Sequence, residues 1–256
     1  MTVETSTDSP ADWIDADPGS TWQFVCRGAY QYGVAPAGES SLRPTGIVER
    51  FTECVSLDGH VRRTRAIRDA RDTPANVLLR VETWRRRDDY TALEFTLIGT
   101  PKVVRVRYEV EDGRLVIRGQ DGDLPRPPEH LDLPEGALLL PLTRDHLGPL
   151  IVALAGRPEG RGTVVVPDLR NPTGPDLFAP LVSARTATVA HDPPRAMKAA
   201  GRRWSAVPYG FEGGPYDHSA RFWVDDRTQR LIRYGFTVAS GERWSAELVH
   251  FESSSP

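Results

Sequence analysis

The stretch KVVRVRYEVEDGRLVIRG, ending at Gly119, constrains the fold more than any other part of the chain. Val104, Val106, Tyr108 and Val110 alternate with Arg105, Arg107 and Glu109. A period of two gives an extended strand one apolar face and one polar face. Asp112-Gly113 then supplies a two-residue turn, and the alternation resumes. A chain written this way is committed to antiparallel hairpins.

The same signal recurs on both sides. WQFVCRGAYQY predicts a strand with Trp22, Phe24, Cys26, Tyr30 and Tyr32 on one face. GIVERFTECVS puts Ile47, Phe51 and Val55 on one face, with Glu49 and Glu53 among them. NVLLRVETWRRRDDYTALEFTLIG predicts a hairpin turning at Arg87-Asp88-Asp89, with Val77, Leu79 and Val81 on one arm and Leu93, Phe95 and Leu97 on the other. The pattern then breaks. DGDLPRPPEHLDLPEG is proline-rich and predicts an extended surface loop. In TRDHLGPLIVALAG, residues Leu147, Leu150, Ile151 and Leu154 recur at helical spacing, and Gly156 can end the helix. Pro149 fits best near a first turn, so a short helix is expected. After a brief Val164-Val165-Val166 strand comes a second proline-rich loop, PDLRNPTGPDLFAP. Strands resume at Leu181 and continue to Phe251.

RFWVDDRTQRLIRYGFTV, from Arg221 to Val238, repeats the plan of RYEVEDGRLVIRG. In each, an aromatic and a valine precede two acidic residues, and Arg-Leu opens the return strand. Acidic turns between apolar strands are common. The alternative is two diverged meanders, at about 20–120 and 160–252, inside one domain over 20–252. Residues 1–19 and 253–256 read as tails, the first rich in Asp, Ser, Thr and Pro. The expected fold is all-β: a single antiparallel barrel or half-barrel of about ten strands, with the short helix as plug or lid. A long meander protects its apolar face by curling or closing on itself.

FWVDDRTQRLIRYGF followed by RWSAELVHF resembles the late hairpin of the LolA/LppX-like half-barrels, bacterial carriers that hold acyl chains against a curved sheet. The resemblance covers about thirty residues and implies a concave apolar interior. By analogy of fold, the chain is also similar to barrel-type cofactor-free cyclases of actinobacterial specialised metabolism, which fold a polyketide inside the barrel.

Composition removes several function classes. The net charge is −3 over 256 residues, so nothing global favours nucleic acid or an anionic membrane. Only Lys102 and Lys198 are lysines among the basic residues, an arginine bias that reads as a GC-rich ancestry. Cys26 and Cys54 are the only cysteines, and buried free thiols are expected. The acidic N-terminal stretch lacks the basic start and apolar core of a signal peptide, and no run approaches the ~20 apolar residues of a membrane span. A soluble, cytoplasmic protein is expected. There is no G-x-S-x-G elbow, no P-loop and no strand-linked G-x-G-x-x-G. His60, His130, His146, His191, His218 and His250 form no local metal motif. No cofactor and no metal are expected.

What remains is polar residues on apolar faces. Glu49, Glu53, Tyr108, His218 and His250 are the candidate catalytic pool, and Trp22, Tyr30, Phe222 and Trp244 the candidate ligand-binding residues. A buried carboxylate must be paired, protonated or in contact with a ligand. Such a lining encloses an apolar small molecule, and holding a flexible one folded accelerates cyclisation. A cofactor-independent cyclase or isomerase of polyketide-type metabolism is the favoured reading. A non-catalytic lipid or metabolite carrier is the first alternative. A protein-interaction module, with Arg62-Arg63 and Arg85-Arg86-Arg87 as outer contact sites, is the second. Oligomeric state is not legible.

Overall fold

The computed structural model describes residues 21–87, 89–99, 103–190, 192–217 and 219–254. The alternating segments form β1 (Trp22–Ala35), β2 (Arg43–Ser56), β3 (Val61–Ala70), β4 (Val77–Arg86), β5 (Asp89–Ile98), β6 (Val103–Glu111) and β7 (Arg114–Asp121). Each pairs antiparallel with the next. The β4–β5 hairpin turns where the sequence predicts, pairing Arg86 with Asp89; Asp88 lies outside the described residues. Between β6 and β7, Asp112 and Gly113 take φ of 46° and 79°. Glycine reaches that region without a Cβ penalty, and aspartate tolerates it better than most residues.

The first proline-rich stretch holds more order than a surface loop. Its β8 (Leu124–Pro125) and β9 (Glu129–Asp132) both pair with β7. Next comes β10 (Leu138–Leu139), then α1 (Arg144–Ala155), with Gly156 at its end as expected. Pro149 is inside the helix rather than in its first turn, a correction. An interior proline removes one helical hydrogen bond. Burial of Leu147, Leu150, Ile151 and Leu154 offsets that loss. The chain finishes in β11 (Arg161–Pro167), β12 (Pro180–Val189), β13 (Arg195–Ala199), β14 (Arg202–Glu212), β15 (Arg221–Asp225), β16 (Leu231–Thr237) and β17 (Arg243–Ser253). Here β10 and β11 are parallel, and the other neighbours antiparallel.

Strand β1 sits between β2 and β17, so among the described residues one sheet of seventeen strands runs from end to end. This corrects the expected count of about ten. Ladders as short as Leu124–Pro125 and Leu138–Leu139 carry no readable alternation. The sheet is also not closed: β8 and β9 end one side and β10 the other. Side chains span the gap. Val165, Leu177 and Phe178 pack with Leu97, Phe95 and Tyr108 in one apolar cluster, and the Tyr108 hydroxyl donates to the Phe178 carbonyl. A larger cluster joins α1 to β14–β17 and to Tyr30 and Phe51. Val164 belongs to one cluster and Val165 to the other, so β11 has an apolar core on each face. Among the described residues no helix is long and apolar enough to cross a membrane.

Two bulges redirect side chains. The β1–β2 register shifts between Phe24 and Cys26. Cys26 pairs with inward Glu53, whereas Phe24 pairs with Cys54. Trp22 therefore stands on the outer face, where the Arg63 guanidinium lies 5.7 Å from its ring. The β1–β17 register shifts between Ala29 and Tyr30, leaving Val249 as the extra residue. Leu248 is fully buried, but His250 turns outward, its side chain 40% exposed and 3.0 Å from Glu252. Both are corrections: one extra residue reverses every face beyond it. Cys26 and Cys54 are buried free thiols.

Candidate functional site

Helix α1 contributes lining residues to two adjoining cavities. Its N-terminus is held from outside the helix. Thr143 makes no side-chain cap. Instead Glu49, fully buried on β2, accepts the Arg144 backbone N–H. The same carboxylate accepts from the Tyr32 hydroxyl and from Arg68 Nε, each at 2.9 Å. Negative charge at a helix N-terminus is favourable, and here three donors fix it. Glu49 is thus an inward carboxylate, as its parity implies, whose partners are all structural.

The first cavity has a volume of about 500 Å³. Five arginines line it: Arg62, Arg85, Arg87, Arg202 and Arg230. The facing carboxyls are Glu53 and Asp145. Glu53 is shared among Arg62 at 2.7 Å, Arg85 at 3.6 Å and Arg230 at 3.8 Å. Burial alone would raise its pKa, but Arg230, Arg62 and Arg85 outweigh burial and hold it below the ordinary value. Arg230 is itself sandwiched, 4.8 Å from the rings of both Phe51 and Phe251. Arg202 lies 4.7 Å from Trp204 and 5.2 Å from Phe251. Aromatic faces thus stabilise the guanidiniums where counter-charge is short. The buried Nε atoms of Arg85 and Arg230, and Oδ1 of Asp145, have no hydrogen-bond partner among the described residues.

Asp145 and His146 open α1 at the wall of this cavity. Asp145 Oδ2 lies 3.1 Å from His146 Nε2. Nδ1 of His146 lies 3.0 Å from the Tyr90 hydroxyl, and Nε2 3.2 Å from Thr83 Oγ1. Burial pushes the Asp145 carboxyl up to about 6, against the pull of Arg230 and Arg85. Burial pushes His146 down to about 3, and Arg85 adds to this. The imidazole is therefore neutral at pH 7. The Cys26 thiol accepts from Arg230 Nη2 at 3.2 Å, and burial raises its pKa to about 12. It is no thiolate nucleophile at neutral pH.

The pH sign of Asp145 follows from its raised folded-state pKa. Its stabilising contribution is complete below the unfolded value near 4 and is lost as pH rises through about 6. Two pH units correspond to about 3 kcal/mol. Asp145→Asn stays neutral throughout. Relative to the parent, its unfolding free energy is expected to rise by about 3 kcal/mol between pH 4 and pH 7.5. The His146 contribution has the opposite sign, lost as pH falls from 6.5 toward 3, and is common to both proteins. Urea unfolding at the two pH values measures the difference; a constant offset would show that Asp145 titrates normally.

The second cavity, about 540 Å³, shares Arg85, His146, Pro149 and Gln229 with the first. Its other walls are mostly apolar, among them Val110, Leu133, Leu138, Leu139 and Val152.

Of the candidates read from sequence, Glu53 lines the first cavity. Glu49 holds the helix, and Tyr108 ties the seam. Tyr30 donates to the Leu231 carbonyl at 2.8 Å, and Phe222 is packed in an aromatic cluster with Phe211, Tyr216 and Tyr234. Trp244 is half-buried on β17, opposite Val34 and Phe236. His218 lies outside the described residues. The candidate ligand-binding residues Trp22, Tyr30, Phe222 and Trp244 therefore do not line this cavity, and Trp204 and Phe251 line it instead. Arg62, Arg85 and Arg87, read as outer contact sites, also line it. Arg85 was legible, since it shares parity with Leu79, Val81 and Thr83, all buried. Asp145-His146 was legible as a polar pair opening an apolar helix. Arg230, in a turn, carries no periodic signal.

No family model matches the chain, and no curated protein matches it. A solved structure that is similar is the β-barrel-like protein of domain of unknown function DUF1849 from Brucella abortus. The likeness covers 92% of this chain and 100% of that one, with a TM-score of 0.54 and 16% identity. It supports a β-barrel-like fold and does not extend to the LolA/LppX-like or cyclase resemblance.

Proposed function

We propose that the protein is a small-molecule binder whose ligand carries an anionic group held in the arginine-lined cavity. The β-barrel-like fold is consistent with small-molecule binding, and the cavity's charge adds an anionic group to the apolar ligand expected from sequence. One observation carries this reading. Arg85 and Arg230 converge on a single, already shared carboxylate, and a buried N–H of each is left without a partner. Five arginines face only two carboxyls, Glu53 and Asp145, across this cavity, and a ligand oxyanion would neutralise that cationic excess. Low local dielectric strengthens that contact.

Arg230→Gln keeps a polar side chain and removes the deep charge. Isothermal titration with decanoate is expected to show affinity falling about tenfold to a hundredfold, in line with hydrogen bonds to charged groups. The parent should bind more tightly as pH falls through about 6, because Asp145 loses its repulsive charge. Anion binding that ignores Arg230→Gln sinks the proposal.

A second reading, the cofactor-independent cyclase or isomerase, has its support in Asp145. A carboxyl titrating near 6 beside a neutral imidazole is suited to proton transfer, and Glu53 faces the same space. Its mark would be turnover that Asp145→Asn removes while ligand affinity persists.

A further inference from the structure

We infer that the ligand is an amphipathic anion, with one oxyanion head in the arginine-lined cavity and an aliphatic chain in the second cavity. This rests on the anion-binding reading and adds the class of molecule. The two cavities are neighbours with a common wall of Arg85, His146, Pro149 and Gln229. Their chemistry is opposed: guanidiniums on one side, aliphatic side chains on the other. Val110, Leu133, Leu138, Leu139 and Val152 are each only half-buried, and all face the second concavity. Apolar surface left open in a concavity adjoining a charged site fits a ligand that is itself charged at one end. A compact anion, such as inorganic phosphate, would fill the first cavity and leave that apolar wall wet. A neutral hydrocarbon would cover the wall and leave the excess of guanidiniums over carboxyls in the first cavity unneutralised.

The occupancy of each half is separately testable in the full chain. The probes are hexanoate, octanoate, decanoate, decanol and decyl phosphate, titrated calorimetrically, with inorganic phosphate as the headgroup alone. Affinity is expected to rise about fourfold per methylene from hexanoate to decanoate, the effect of burying one CH₂. Decanol should bind at least tenfold more weakly than decanoate, losing a charge-assisted hydrogen bond. Comparing decanoate with decyl phosphate distinguishes a carboxylate from a phosphate head, and tight binding of either supports the inference. Ala153→Trp, at an exposed position of α1 on the second cavity, should flatten the chain-length series and leave phosphate binding unchanged. Ala137→Phe, elsewhere in the lining of that cavity, serves if the first variant does not fold. A flat series in the parent, with binding still lost in Arg230→Gln, overturns the chain and leaves the anion reading standing. Decanol equal to decanoate overturns both.

Discussion

Glu49→Ala is expected to cost about 3–5 kcal/mol of folding stability, the range for removing one member of a buried ion pair. The residue is fully buried, and its carboxylate receives the first N–H of α1, Arg68 and the Tyr32 hydroxyl. Alanine would leave all three donors behind. Arg68 would keep its contact to the Leu142 carbonyl and lose its counter-charge. Arg144, stacked 5.5 Å from the Tyr32 ring and 4.9 Å from that of Tyr234, would stay in place beside it as a second cation. Glu49→Gln keeps the volume and one acceptor and should lose less. Urea unfolding of the three proteins measures this, and amide exchange in Leu147–Leu154 reports whether the helix loosens first. A loss below 1 kcal/mol for the alanine variant would mean that water replaces the carboxylate.

Gly148→Ala carries the second large effect. On propensity alone the change is favourable, since alanine gains up to about 1 kcal/mol over glycine in a helix interior. Packing reverses the sign. A Cβ at this position would stand 2.1 Å from the Gln229 carbonyl oxygen and 2.8 Å from the Leu231 amide nitrogen. Both are backbone atoms, so no rotamer change relieves the clash. Overpacking that shifts backbone costs about 1–3 kcal/mol, and with backbone atoms this close the upper end applies, so after the propensity gain a net loss of about 2 kcal/mol is expected. The displaced turn also carries Arg230. Decanoate affinity should therefore fall in any fraction that remains folded, a loss that a remote destabilising change would not produce. Unfolding and titration on the same sample check both parts.

Much of the fold was legible because strand alternation is a local property. Leu79, Val81, Leu93, Phe95, Val104 and Val106 all lie where their parity puts them, each buried. Faces were misread where a single bulge intervened, at Val25 and at Val249. No residue type marks a bulge here, so Trp22 and His250 read as inward. The site was less legible, because it is made by bringing distant segments together. Glu53 announced itself as a carboxylate on an apolar face. Its partners come from β3, β4 and the turn before β16, and no spacing in the chain links them. Charge was misread for a related reason. Arginine in a strand is usually solvated, and only the packing of α1 beside Arg85 and the Arg230 turn makes the two into walls of one cavity.

The place of β1 has a consequence for how the molecule is made. This strand pairs on one side with β2, the next strand to be synthesised, and on the other with β17, the last. Roughly 200 residues separate Ala35 from Arg243, and at about 5–20 residues per second a ribosome takes on the order of 10–40 s to bridge them. Throughout that interval β1 is an open edge fourteen residues long, offering unpaired amides and carbonyls to any neighbouring nascent chain. A second chain's β17 would fit that edge as well as the chain's own. Translation at high density, as in strong overexpression, is therefore expected to give more strand-exchanged dimer on a sizing column than slow synthesis at low temperature.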